Sequence, residues 1–308
     1  DAPPLFVVAA TDDELGLASH SVRLSEKWVE AGKAAEFHLY SRGGHGFGMR
    51  KQYLASDTWI DRFGEWLEGQ GLLMRSSPDR QPTITPQQVM QQRIEREERM
   101  RNDWPNLNRF REDNKKTPPP APGEKRVVFM GNSITAGWSR LRPEFFENKP
   151  YINRGISGQT TPQMLIRFKQ DVVDLKPQVV VILAGINDIA QNTGPTTLEA
   201  TLDNISSMAL LAKAHGIKVI LCSVLPAYDF PWRPGLEPAG KVIALNKMIR
   251  EFAAQNKLHY LDYFPALVDA RNGMKKEFAI DEVHPTVEGY KVMEPLVEQA
   301  IRKVLADK

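Results

Sequence analysis

From Arg126 onward the chain predicts a three-layer α/β fold around a parallel sheet, and three observations carry that expectation. Short apolar runs recur, helical stretches separate them, and a polar cluster rich in Gly, Ser and Asn follows several of the runs. The runs Arg126–Met130, Tyr151–Asn153, Val179–Ala184, Lys218–Val224 and His259–Asp262 are too short for helices, and their almost unbroken apolar character fits strands covered on both faces. Stretches near 161–175, 197–214, 238–256 and 286–306 have helical periodicity. Alternation of this kind makes the strands parallel and stacks helices against the sheet.

Upstream, the first seventy residues read as strand, helix, strand, helix: Leu5–Ala10, Ser19–Ala31, Glu36–Tyr40 and Ser56–Glu68. Residues 1–70 are therefore expected to form a partial α/β segment, too small to cover a sheet on both faces unaided. Residues 71–85, with Ser76-Ser77-Pro78-Asp79 and Gln81-Pro82, read as a linker to a second domain over 86–308. Pro86 at a helix's first position, followed by Val89, Met90, Ile94 and Met100 among many charges, predicts a long, solvated helix over 86–116. Thr117-Pro118-Pro119-Pro120-Ala121-Pro122-Gly123 then predicts a stiff, extended link over 117–123.

Composition narrows the function classes. The 308 residues are 42% hydrophobic and 25% charged, with room for two cores. Forty Lys and Arg against 38 Asp and Glu leave no basic field that would select nucleic acid or an anionic membrane, so a neutral or mildly polar substrate fits better. The single cysteine, Cys222, sits in an apolar run and reads as a buried hydrophobe, which excludes an intrachain disulfide. No run is long enough for a membrane helix, and Asp1-Ala2-Pro3-Pro4 is not a signal peptide. The compartment stays open, with secreted or periplasmic locations both compatible. His20, His38, His215 and His259 have no partners at ligand spacing, so no metal or other cofactor is expected.

Ligands of an open parallel sheet bind beyond the carboxyl ends of its strands. The residues there are Gly131-Asn132-Ser133-Ile134-Thr135, Asn153-Arg154-Gly155-Ile156-Ser157-Gly158 and Gly185-Ile186-Asn187-Asp188, with Asp281-Glu282-Val283-His284-Pro285 before the last helix. Taken singly, Ser133, Asp281 and Asn187 read as helix caps and Gly158 as a turn glycine. In this order, the four blocks resemble the SGNH (GDSL-type) hydrolases over residues 86–308. The resemblance implies a flavodoxin-like α/β/α fold with a five-stranded parallel sheet and a metal-independent serine esterase. Ser133 would be its nucleophile, His284 the general base and Asp281 the orienting acid. The backbone N–H groups of Ser133 and Gly158 and the amide of Asn187 would form the oxyanion hole. Gly155 is the nearest rival to Gly158. Asn132 stands where the family usually has Asp, which keeps an acceptor oxygen and loses a charge.

Residues 3–70 resemble the carboxyl-terminal part of an α/β-hydrolase of the dienelactone-hydrolase or xylan-esterase sort, with Asp13 and His45 in the places of triad acid and histidine. The Gly-x-Ser-x-Gly elbow that should precede them is absent, so this second site is expected to be vestigial. Tyr228 and Trp232, in the loop after the fourth strand of the second domain, are candidates to line an acyl or sugar pocket, with ordinary packing the alternative. The neighbouring xylan-esterase-like segment points toward acetyl esters of carbohydrates. A lysophospholipase or thioesterase, or a noncatalytic carbohydrate-binding protein, are the competing expectations.

Overall fold

The computed structural model describes residues 3–49, 51–73, 98 and 101–306. The chain divides into two compact units, Asp1–Thr85 and Pro86–Lys308. In the first, strands β1 (Leu5–Ala10) and β2 (Ala35–Tyr40) pair in parallel, Leu5 opposite Ala35, through helix α1 (Ala18–Glu30). A 3₁₀ turn, Ala55–Thr58, leads into α2 (Trp59–Gly69). The ring of Phe6 packs 5.2 Å from Phe63 and 5.6 Å from Trp66, which fastens α2 to the sheet. This core is thin: Ala9 and Ala10 are the buried hydrophobic residues among those described.

The second unit holds the predicted parallel sheet, between helices in a three-layer α/β/α arrangement. Its elements are α3 (Arg111–Lys116), β3 (Val127–Gly131), α4 (Ser133–Leu141), α5 (Pro143–Phe146), β4 (Tyr151–Gly155), α6 (Thr161–Asp171), β5 (Val179–Leu183), α7 (Ile186–Ile189), α8 (Leu198–Ala214), β6 (Lys218–Cys222), α9 (Pro238–Gln255), β7 (His259–Leu261), α10 (Phe264–Leu267) and α11 (Val287–Ala306). The strand order is β4-β3-β5-β6-β7, all parallel. The chain winds outward in opposite directions from β3, so the order reverses between β3 and β5, the place beyond whose strand ends open sheets of this kind take ligands. Every residue of β3 and β5 is buried, which is why these strands read as continuous apolar runs. Cys222, at the end of β6, is 2% exposed, and burial pushes its thiol pKa up. No described helix is long and apolar enough to cross a membrane.

The predicted helix over 86–116 is corrected. Most of 86–100, like 74–85 of the expected linker, lies outside the described residues. In the described part, residues 103–110 form turns and only Arg111–Lys116 is helical from there on. Pro105 disfavours helical backbone at Trp104, Asn106 takes a left-handed φ of 56°, and the Asp103 carboxylate accepts from the amides of Leu107 and Asn108. Nor is this segment simply solvated. The carbonyls of Trp104, Pro105 and Leu107 accept from the side chains of Gln163, Gln159 and Gln170, which lie on α6 or just before it.

Candidate active site

Three strand ends and one loop supply the chemistry. At the end of β3, a side chain on Gly131 would run into Thr135, and one on Gly155 at the end of β4 would strike the backbone of Asn132 and Ala136. Glycine at both places lets α4 start directly beside β4. The Asn132 side-chain oxygen accepts from the amide of Ile134 at 3.2 Å and caps α4, so the acceptor function survives the absence of a carboxylate. Ser133 is thus the first residue of a helix, where the peptide dipoles favour developing negative charge.

The Asp281–His284 loop closes on itself. Asp281 Oδ1 accepts from the backbone amides of His284 at 2.9 Å and Val283 at 3.3 Å, while Ile280 donates to the His284 carbonyl at 2.8 Å. The tight turn puts Glu282 at φ 68° and buries Val283. His284 Nδ1 lies 2.9 and 2.8 Å from the two Asp281 oxygens, and its Nε2 lies 2.8 Å from Ser133 Oγ. Burial raises the Asp281 pKa, but hydrogen bonds from the His284 ring and backbone outweigh it, so the net shift is downward. An ionised Asp281 holds the proton on Nδ1 and leaves the Nε2 lone pair facing the hydroxyl.

At these strand ends, three residues carry polar hydrogens with little else to bind. Among the described residues neither the Ser133 nor the Gly158 amide donates to a protein acceptor. Gly158 has φ 79° with open space around a would-be Cβ, so backbone conformation rather than crowding selects glycine there. Asn187 is buried at 4% exposure, and its Nδ2 donates one hydrogen to the Gln159 carbonyl at 2.9 Å, leaving the other available. Gly185, at φ 117°, occupies the N-cap position of α7, so neither Asn187 nor Asp188 caps that helix. The Asp188 carboxylate instead accepts from the Thr161 amide at 3.0 Å and hydroxyl at 2.6 Å, tying α6 to the end of β5. Burial lifts the Asp188 pKa to about 6, against the pull of Thr161.

Of the two aromatic candidates, the Trp232 ring lies 6.0 Å from that of His284. Tyr228 is 46% exposed and lies under the Arg271 guanidinium at 4.6 Å, and Arg271 also approaches Glu282 at 3.6 Å. Asp13 and His45 also meet in the N-terminal unit, with His45 Nδ1 3.2 Å from both Asp13 oxygens. His45 Nε2 has no hydrogen-bond partner among the described residues. Sequence reasoning missed the supports beneath the site: Asp188 on Thr161, the Tyr290 hydroxyl donating to the Ile134 carbonyl at 2.7 Å, and a buried Arg167–Asp171 pair. The spacing of Arg167 and Asp171 on one helix was the available signal, but it normally marks a solvated pair.

A doubly wound sheet with a hydroxyl, imidazole and carboxylate in line at its switch point defines a hydrolase-type site. The chain belongs to the GDSL-like lipase/acylhydrolase family, whose pattern matches residues 129–292, and it is a carboxylic ester hydrolase. It is similar to esterase TesA of Pseudomonas aeruginosa, 29% identical over 170 residues that span 54% of this chain and 78% of that protein. Acetylxylan esterase of Geobacillus stearothermophilus is 27% identical over 158 residues, 46% of this chain and 67% of that one. Among solved structures, a GDSL-like lipase of Bacteroides thetaiotaomicron is 48% identical with a TM-score of 0.64, covering 65% of this chain and 99% of that chain.

Proposed function

We propose that the C-terminal unit is a serine esterase that transfers small acyl groups, acetyl foremost, from carbohydrate esters to water through an acyl-enzyme on Ser133. The observation that carries this reading is the continuous chain of hydrogen bonds from Asp281 through His284 to Ser133 Oγ. As Oγ attacks the ester carbonyl carbon, His284 Nε2 takes its proton, and Asp281 steadies the imidazolium. The carbonyl oxygen becomes an oxyanion facing the amide hydrogens of Ser133, Gly158 and Asn187. When it collapses, the bond to the leaving alkoxide breaks and His284 returns the proton to it. Water, deprotonated by the same nitrogen, then attacks the acyl-enzyme and releases the acid.

For the acyl group and alcohol, support comes from the likeness to an acetylxylan esterase and from Trp232 beside His284, an apolar ring of the kind on which sugar faces stack. A preference for longer acyl chains is the second reading. It is favoured by the exposed Ile280 and Val287, which flank Asp281 and His284 in sequence, and by the GDSL-like lipase at 48% identity. We read the Asp13–His45 pair as without turnover of its own. Initial rates on acetylated xylan, acetylated monosaccharides and p-nitrophenyl esters of rising chain length separate the two readings. Wild type should favour acetyl, and Ser133→Ala should lose at least about four orders of magnitude in turnover. A Ser133→Ala protein with wild-type rates ends the serine mechanism, and a steady rise in rate with chain length ends the acetyl assignment.

A further inference from the structure

Arg167 lies in α6 with its side chain fully enclosed, as is that of its ion-pair partner Asp171, 2.9 Å away. Burying a guanidinium and a carboxylate carries a desolvation penalty that their attraction seldom more than offsets, so the pair needs a reason beyond stability. Its other bonds suggest one. Nη2 donates to the Gly131 carbonyl at 3.0 Å and the Arg154 carbonyl at 2.8 Å, and Nε donates to Gln159 Oε1 at 2.5 Å.

Each of these contacts sits next to an amide hydrogen of the oxyanion site. Gly131 is two residues before Ser133, Arg154 lies near the end of β4 four residues before Gly158, and the Gln159 carbonyl is the acceptor that holds the Asn187 amide. Gln159 is itself anchored, its Nε2 donating to the Pro105 carbonyl at 2.7 Å. Burial lowers the Arg167 pKa to about 10, with Asp171 pulling the other way, so the group is charged at neutral pH. Paired with the Asp171 carboxylate, its charge is balanced at a distance, which leaves geometry as its contribution. A lysine, with a single flexible ammonium, could not make this planar set of bonds.

We propose that Arg167 is a positioning residue for the reaction, its guanidinium locking the ends of β3 and β4 and Gln159 into one frame so that the oxyanion-facing amide hydrogens converge before substrate binds. This rests on the role given to Ser133 above. Three variants test it: Arg167→Lys, the double replacement Arg167→Met with Asp171→Leu, and Gln159→Met, which leaves the ion pair in place. The readouts are kcat, KM and the pH profile on p-nitrophenyl acetate, normalised to folded protein by circular dichroism. Loss of positioning lowers kcat about tenfold or more while KM stays within about threefold and the pH midpoint is unmoved. In an Asn187→Ala background the effect of Arg167→Lys should shrink to about threefold or less, because the two act through one site. A merely structural arginine changes the melting temperature and leaves kcat per folded molecule alone.

Wild-type kcat in the folded variants, or full multiplication with Asn187→Ala, overturns the proposal. Gln159→Met decides alone should the Arg167 variants not fold. Wild-type rates in Ser133→Ala remove the serine mechanism and this proposal with it, whereas a dead Ser133→Ala beside insensitive Arg167 and Gln159 variants removes this proposal only.

Discussion

Among the described residues, His284 and His45 each turn Nδ1 toward an aspartate, and they differ in almost everything else. His284 has its acid three residues away on a loop pinned by backbone bonds, at 2.8 and 2.9 Å, and Ser133 Oγ at 2.8 Å on its other nitrogen. His45 reaches Asp13 across 32 residues at 3.2 Å, with nothing on Nε2 among the described residues. An acid–base pair is therefore the easy half of a hydrolytic site. In the site proposed for the C-terminal unit the demanding half is a nucleophile at a helix start with amide hydrogens to meet the oxyanion, and holding those to fractions of an ångström calls for a thick core. The C-terminal unit has such a core under its site, whereas the N-terminal unit buries two alanines as its described hydrophobic core.

That contrast can be attacked in descending order of effect. Asn187→Ala removes one side-chain donor from the proposed oxyanion site and should lower kcat by about 10²–10³-fold with the fold intact; a rate within threefold of wild type takes Asn187 out of the site. Asp188 probes the support beneath. Its folded pKa of about 6 lies above the ordinary carboxylate value near 4, so between those pH values the unfolded chain binds fewer protons than the folded one. The stability this protonated group contributes is full below about pH 4 and lost as pH rises through 6. Urea titrations across that window should show wild type losing on the order of 3 kcal/mol relative to Asp188→Asn, and parallel curves for the two proteins would refute the shift. Smallest of all, His45→Ala should leave ester turnover at the wild-type rate. A fall on any substrate of the panel would mean that the N-terminal pair takes part.

Much of this contrast was readable in the residues. The strands of the sheet were legible because β3 and β5 are buried on both faces and so have no polar alternation to confuse them with amphipathic helix. The Ser133, Gly158, Asn187 and His284 blocks stood out because glycine and polar residues at strand ends are not what packing alone selects, and the structure joins two of them directly, Ser133 Oγ to His284 Nε2. Helix α4 escaped notice: Ser133–Leu141 contains Gly137 and two threonine or isoleucine β-branches, and its start depends on Asn132 as a cap. The helix expected over 86–116 rested on Pro86 at a first helical position and on Val89, Met90, Ile94 and Met100 spaced among charges, and that pattern ends short of Pro105 and the Asp103 turn, which interrupt it. Arg167 and Asp171 were invisible for a different reason. Four residues apart, they match any exposed ion pair, and what encloses them comes from elsewhere in the chain: the Gly131 and Arg154 carbonyls accept from Arg167, and Asn114 donates to Asp171.

The lone thiol has a practical use. Cys222 is enclosed in the core at the end of β6, and burial holds it in its unreactive protonated form. Alkylating reagents therefore reach it only in molecules whose β6 has opened. Labelling kinetics in dilute reagent thus time the opening of the catalytic unit's centre, with no engineered probe and no interference from a second sulfhydryl.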